Sequence, residues 1–177
     1  MIPYRVLYRL GLAPWERRDV DATWRQLTSG PQALPPGRAL DVGCGRGRDA
    51  VYLAKHDWRV SAVDSDERAL AAARQRAARE DVEVQWVHGD VGELGRLGLE
   101  PGYTLLFDFG CIHGLDNARR AQAASGLTHL AAADAVLLVV AFAARRRVVL
   151  PRGMDRAPRH PLTTTRSSPR PHDANAK

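Results

Sequence analysis

The stretch Ala39-Leu40-Asp41-Val42-Gly43-Cys44-Gly45-Arg46-Gly47 decides how this 177-residue chain is read. A short apolar run, Arg38 to Val42, feeds into three glycines at alternate positions. Asp49, Ala50, Val51, Leu53 and Ala54 then follow with helical spacing. Strand, glycine turn and helix start in direct succession describe a place where backbone can come close to a bound nucleoside cofactor. A Cβ at the glycine positions would obstruct both the tight turn and the ligand's approach. The first amides of the helix lack intrahelical acceptors and point into the turn, ready for a polar or anionic group. Taken alone, a glycine turn is a weak signal, because plain loops also contain one.

Three acids strengthen it. Asp41 stands two residues before Gly43 on an apolar strand, where a carboxylate is costly without a partner. Asp64 ends the next apolar run, Arg59 to Val63, about twenty residues after the glycines, the spacing at which an acid reaches ribose hydroxyls in a nucleotide-binding βαβ unit. Asp90 closes a third run, Val82 to His88, after Gly89. Three aspartates at the carboxyl ends of successive strands share one rim of a parallel sheet, where open α/β folds bind ligands. The plainer role open to each is a helix N-cap or a solvated strand end.

Outward from this core the pattern alternates. It predicts strands at 38–42, 59–63, 82–88, 103–109 and 135–142, helices at 47–56, 66–79 and 116–130, and a short helix or loop at 91–97. Such alternation specifies an α/β fold, an open and mostly parallel sheet with helices on both faces. Asp66 and Glu67 suit the start of helix 66–79, and its arginines suit the end. Upstream, Pro14 suits a helix start, Val20, Trp24 and Leu27 form an apolar stripe, and Ser29-Gly30-Pro31 ends it. Tyr4, Tyr8, Trp15 and Trp24 either line a substrate pocket or pack this segment onto the sheet. Three parts result: a helical lid at 1–34, a cofactor-binding domain at 35–144 and a basic tail at 145–177.

The distribution of net charge argues against one class of partner. The chain carries a formal +6, but residues 1–143 hold 17 basic and 18 acidic side chains, and the last 34 residues hold 9 and 2. The basicity belongs to the tail, so the folded part has no excess with which to grip a phosphate backbone. No nucleic-acid partner is expected. The tail is rich in Pro, Arg, Ser and Thr and is expected to be disordered. Ala135 to Ala144 is the longest apolar stretch, about half of what a membrane span requires, so no membrane partner is expected. Met1 to Leu12 carries Arg5 and Arg9 and does not read as a signal peptide. Cys44 and Cys111 are not at framework spacings, which fits a reducing cytoplasm. The histidines form no metal-ligand spacing, and no metal is expected.

Leu40-Asp41-Val42-Gly43-Cys44-Gly45-Arg46-Gly47, then Val63-Asp64, then Gly89-Asp90, resembles the class I S-adenosylmethionine-dependent methyltransferases. The small-molecule branch, with the thiopurine and tellurite-resistance enzymes, is the most similar. The resemblance runs from about Pro35 to Phe142. Dinucleotide enzymes usually carry the third glycine one place later, where Arg48 stands here. A pyridine-nucleotide oxidoreductase and a truncated, non-catalytic domain are the alternatives. The family continues past its fifth strand with a helix and a further strand pair, which this chain lacks after Phe142. An open fifth-strand edge of this kind invites dimerisation.

The resemblance implies S-adenosyl-L-methionine as cofactor and a small-molecule methyl acceptor. It places Asp41, Gly43, Cys44, Gly45 and Gly47 around the methionine portion, Asp64 on the ribose hydroxyls with Ser65 beside it, and Asp90 with Val91 at the adenine. Phe107-Asp108-Phe109-Gly110-Cys111-Ile112-His113 ends the fourth strand, between cofactor and acceptor in the family. Asp108 and His113 are therefore the candidates for positioning the acceptor or taking its proton. Cys111 reads as a packing residue.

Overall fold

The structure, a computed structural model, describes residues 22–31 and 33–140. The expectations for Tyr4, Tyr8, Pro14, Trp15 and Val20, and for the tail at 145–177, lie outside these residues. In chain order the elements are α1 (Ala22–Ser29), β1 (Arg38–Val42), α2 (Arg48–Ala54), β2 (Arg59–Asp64), α3 (Glu67–Arg79), β3 (Gln85–His88), a 3-10 segment (Val91–Arg96), β4 (Tyr103–Phe109), a 3-10 turn (Ile112–Gly114), α4 (Asn117–Leu130) and β5 (Ala131–Val140).

All five strands are parallel, in the order β3-β2-β1-β4-β5. The chain steps outward from β1 to β3, then returns to place β4 on the other side of β1. That reversal opens a crevice at the carboxyl ends of β1 and β4, where Val42 pairs with Asp108. One face of the sheet packs Ala39, Val60, Ala62, Leu105 and Phe107 against Ala50 and Leu53 of α2, with Leu27 of α1 at the margin. The other packs Leu40, Val42, Val63 and Leu106 against Val91 and Leu94 and against Leu127 and Leu130 of α4. Alternate residues of β1 thus serve opposite cores, as the two-residue strand period requires.

The two largest boundary differences from the sequence pattern fall at the starts of β3 and β5. Val82 still donates its amide to Ala77 at 3.2 Å, closing the end of α3, so β3 begins at Gln85 rather than 82. β5 begins at Ala131, directly after α4, because Ala131 pairs with Tyr103 across a register irregularity. Three alanines and Asp134 carry no strand pattern of their own; pairing with β4 decides their state.

A polar chain crosses the sheet. Tyr103, fully buried, donates its hydroxyl to Ser61 Oγ at 2.8 Å, and Ser61 donates to Gln85 Oε1 at 2.6 Å. Ser61→Ala strands the Tyr103 hydroxyl in the core and is expected to cost about 1–3 kcal/mol, the penalty for an unmet buried polar group. Urea unfolding measures it, and adding Tyr103→Phe should recover most of the loss.

Among the described residues β5 is paired on one side only, and Leu137 and Val139 are the large apolar side chains left exposed. No helix there is long and apolar enough to cross a membrane.

Candidate active site

The glycine turn is tied to β2 before any ligand is considered. The amides of Gly43 and Cys44 both donate to the Val63 carbonyl, at 2.8 and 3.0 Å. Asp64 continues the clasp: its Oδ2 accepts from the Gly45 amide and its Oδ1 from the Asp66 amide, both at 2.8 Å. One carboxylate therefore holds the turn after β1 and the approach to α3. Asp66 in turn caps α3 through the amides of Arg68 and Ala69.

The three glycines all have left-handed backbone, with φ of 76° at Gly43, 56° at Gly45 and 70° at Gly47. Two are also demanded by space. A Cβ at Gly43 would lie 2.3 Å from the Cys111 Cβ, and one at Gly47 would lie 2.4 Å from the Trp86 ring and 2.8 Å from the Ala73 Cβ. Gly43 thus lets the loop after β4 close on the turn, and Gly47 seats the start of α2 against α3 and β3.

Carboxylates converge at the rim. Asp41 is 3% exposed, and its carboxylate accepts no hydrogen bond from any described residue. Burial pushes its carboxyl well above the usual carboxylate range, and Asp49, Asp64 and Asp108 push it further, with Arg48 opposing. Asp64 is also raised, by burial, against the pull of its amide donors. Asp108 accepts from the amides of Cys111, at 2.7 Å, and Ile112, at 3.2 Å, and burial lifts it to about 6. The Cys111 thiol, raised by burial and by Asp108, Asp64, Asp41 and Asp90, stays protonated and is no nucleophile. Cys44 is raised in the same way and lies against the α2-side core.

Arg48 grips Asp49 side-on, Nε to Oδ1 at 3.1 Å and Nη2 to Oδ2 at 3.0 Å, with its guanidinium over the Phe109 ring at 5.6 Å. Asp90 takes the role of a cap: it accepts from the Gly92 amide at 2.8 Å and pairs with Arg119 of α4. Val91 beside it is buried, and Ser65 is exposed just beyond the rim. His113 is buried at 1% exposure, its carbonyl accepting from Arg120 at 2.8 Å. Asp41, Asp64 and Asp108 with the glycine turn therefore form one cluster; Asp90 stands toward α4 and His113 inside the domain.

Sequence reasoning missed Arg48, Asp49, Trp86 and Arg119. Arg48 sits next to the third glycine and was legible as a neighbour of the motif. Asp49 is the neighbour that Arg48 grips, whereas Trp86 and Arg119 carry no local signal, because their place at the site depends on how β3 and α4 dock. Among the described residues no three His, Cys, Asp or Glu side chains gather to hold a metal ion.

With this geometry in view, comparison with known proteins defines the class. Residues 39–134 match the family model described as a methyltransferase domain. The chain belongs to that family, the class I S-adenosyl-L-methionine-dependent methyltransferases. An uncharacterized methyltransferase of Schizosaccharomyces pombe is 28% identical over 103 residues, covering 58% of this chain and 70% of that one. The structure is similar to a TehB-like methyltransferase of Corynebacterium glutamicum, with a TM-score of 0.60, 25% identity and coverage of 78% and 71%. It is also similar to the 1,6-didemethyltoxoflavin-N1-methyltransferase of Burkholderia thailandensis, solved with its substrate and S-adenosylhomocysteine, with a TM-score of 0.62, 26% identity and coverage of 77% and 58%. Against that enzyme the chain spans little more than half the length.

The residues fit the cofactor. Asp41 offers a buried carboxylate with no donor among the described residues, suited to an ammonium, and the turn presents backbone without Cβ atoms. The family sets S-adenosyl-L-methionine as the cofactor, in place of a pyridine nucleotide.

Proposed function

We propose that this chain transfers a methyl group from S-adenosyl-L-methionine to a small-molecule acceptor. The observation that carries the reading is the clasp at the switch point between β1 and β4. There Asp64 holds the glycine turn, and Asp41 stands buried beside it. In this reading Asp41 and the Gly43–Gly47 backbone receive the methionine end, Cys44 lines the turn, and Asp64 accepts the ribose hydroxyls on its remaining lone pairs with Ser65 alongside. Asp90 and Val91 border the adenine, the Asp90–Arg119 pair fixing that wall. Asp108 orders the loop that carries Cys111 and Ile112 and, at about 6, can hold or release a proton near an acceptor. His113 is assigned to packing that loop, given its burial.

The cofactor supplies an electrophilic methyl carbon, and the protein's share is alignment and exclusion of water. A strong base is unnecessary for a soft acceptor such as a thiol. The acceptor reading is supported by the low basicity of residues 1–143 and by the small-molecule substrate of the Burkholderia relative.

Thermal unfolding with S-adenosylhomocysteine tests the site. Saturation at about a hundredfold over Kd should stabilise the chain by about 2.7 kcal/mol, while NADH leaves it unchanged. Absence of a shift would favour a domain that binds no cofactor. Methyl transfer to small thiols or nitrogen heterocycles, and none to an RNA fragment, is the expected specificity; methylation of RNA alone would overturn it. The exposed Leu137 and Val139 support pairing of two chains at β5, and a strict monomer by sedimentation equilibrium would refute that.

A further inference from the structure

We propose that the cofactor's ammonium group enters this site in exchange for a proton held on Asp41. The inference rests on the cofactor site proposed above and concerns the state of that site before binding. Asp41 lies in β1, 3% exposed, and no described residue donates a hydrogen bond to its carboxylate. The groups around it come from every neighbouring element. Asp64 ends β2, Asp108 ends β4, Arg48 and Asp49 open α2, and the neutral thiols of Cys44 and Cys111 belong to the turn and the loop after β4. Arg48 is the one cation in this set, and its guanidinium is gripped side-on by Asp49. Asp64 and Asp108 have their charges spread over amide donors; Asp41 has none among the described residues.

A carboxylate in that position is largely shut away from solvent, has no donor among the described residues to stabilise its charge, and is opposed by three like charges. The neutral acid is the stable form in the empty site, consistent with the strongly raised carboxyl. A ligand ammonium reverses the balance by supplying both donors and positive charge. The O–H bond of Asp41 then breaks, the electron pair stays on the carboxylate, and the proton passes to the buffer.

The sign follows. In the pH range where free Asp41 is protonated, each unit of rising pH strengthens binding by about tenfold, until Asp41 ionises in the free chain or the ligand ammonium begins to lose its own proton, at about 7.7–8.0 for an α-amino group. The free chain shows the opposite trend. Its folded-state carboxyl is raised above the unfolded value, so this stabilisation is complete at acid pH and is lost as pH rises through the folded pKa.

Calorimetric titration with S-adenosylhomocysteine in two buffers of different ionisation enthalpy counts the protons. The wild-type chain at about neutral pH should release protons on binding the ligand, in proportion to the fraction of free Asp41 that is protonated there. Asp41→Asn should bind without that release and should flatten the rise in free-chain Tm on acidification. Asp108→Asn should keep the release, because a group near 6 is already largely ionised there. Equal heats in both buffers from acid to neutral pH would overturn the proposal, as would undiminished release from Asp41→Asn. If Asp41→Asn fails to fold, the two-buffer comparison on the wild-type chain decides alone. No binding at any pH, by heat or by Tm, would instead remove the cofactor reading and this inference with it.

Discussion

Asp64→Ala is expected to weaken S-adenosylhomocysteine binding by about 2 kcal/mol or more, roughly thirtyfold, with a loss of stability alongside. Two functions are lost together. The ribose hydroxyls lose a charged acceptor, and the amides of Gly45 and Asp66 lose the carboxylate that holds each at 2.8 Å. Calorimetry gives the first loss and urea unfolding the second. Asp64→Asn sharpens the test: its amide oxygen can replace one of the two acceptors, so it should be more stable than Asp64→Ala yet still bind weakly. An unchanged dissociation constant in both variants would remove the ribose assignment while leaving the clasp intact.

Gly47→Val is expected to cost about 2–5 kcal/mol of stability, a large share of the 5–15 kcal/mol typical of a domain. A β-branched residue at φ 70° adds about 1–2 kcal/mol of backbone strain. Its Cβ would also drive into the Trp86 ring at 2.4 Å and the Ala73 Cβ at 2.8 Å, an overpacking term of about 1–3 kcal/mol. Because Gly47 caps α2 and ends the turn, cofactor affinity should fall with it. Trimming the ring with Trp86→Ala in the same chain separates the two causes. It should return part of the overlap cost and none of the backbone strain, so full recovery would show that the left-handed backbone was never the constraint.

Much of this fold was legible because its signals are local. β1 at Arg38–Val42 and β4 at Tyr103–Phe109 stand where alternation placed them, and α3 begins at its Asp66 cap. The glycine turn announced itself because left-handed backbone restricts residue choice within a few positions. The rim aspartates were legible for the same reason, since each marks the end of an apolar run. The share of each in the site was not. Asp90 looked equivalent to Asp64 in the sequence, yet Arg119, 29 residues away on α4, engages it as part of a wall. His113, a candidate proton acceptor in the sequence, is buried at 1% exposure.

The sequence by itself determined the α/β alternation, the glycine turn and the acids that end its strands, because each depends on residues within one or two turns of chain. Only the tertiary structure decided the order β3-β2-β1-β4-β5, the start of β5 at Ala131, and which carboxylates are neutralised. Strand order depends on crossovers, and the state of a carboxylate on the donors and charges that packing brings near it. Asp64 finds two amides, Asp90 an amide and a guanidinium, and Asp41 no donor among the described residues. That difference between three similar residues arises from docking, which no window of the sequence contains.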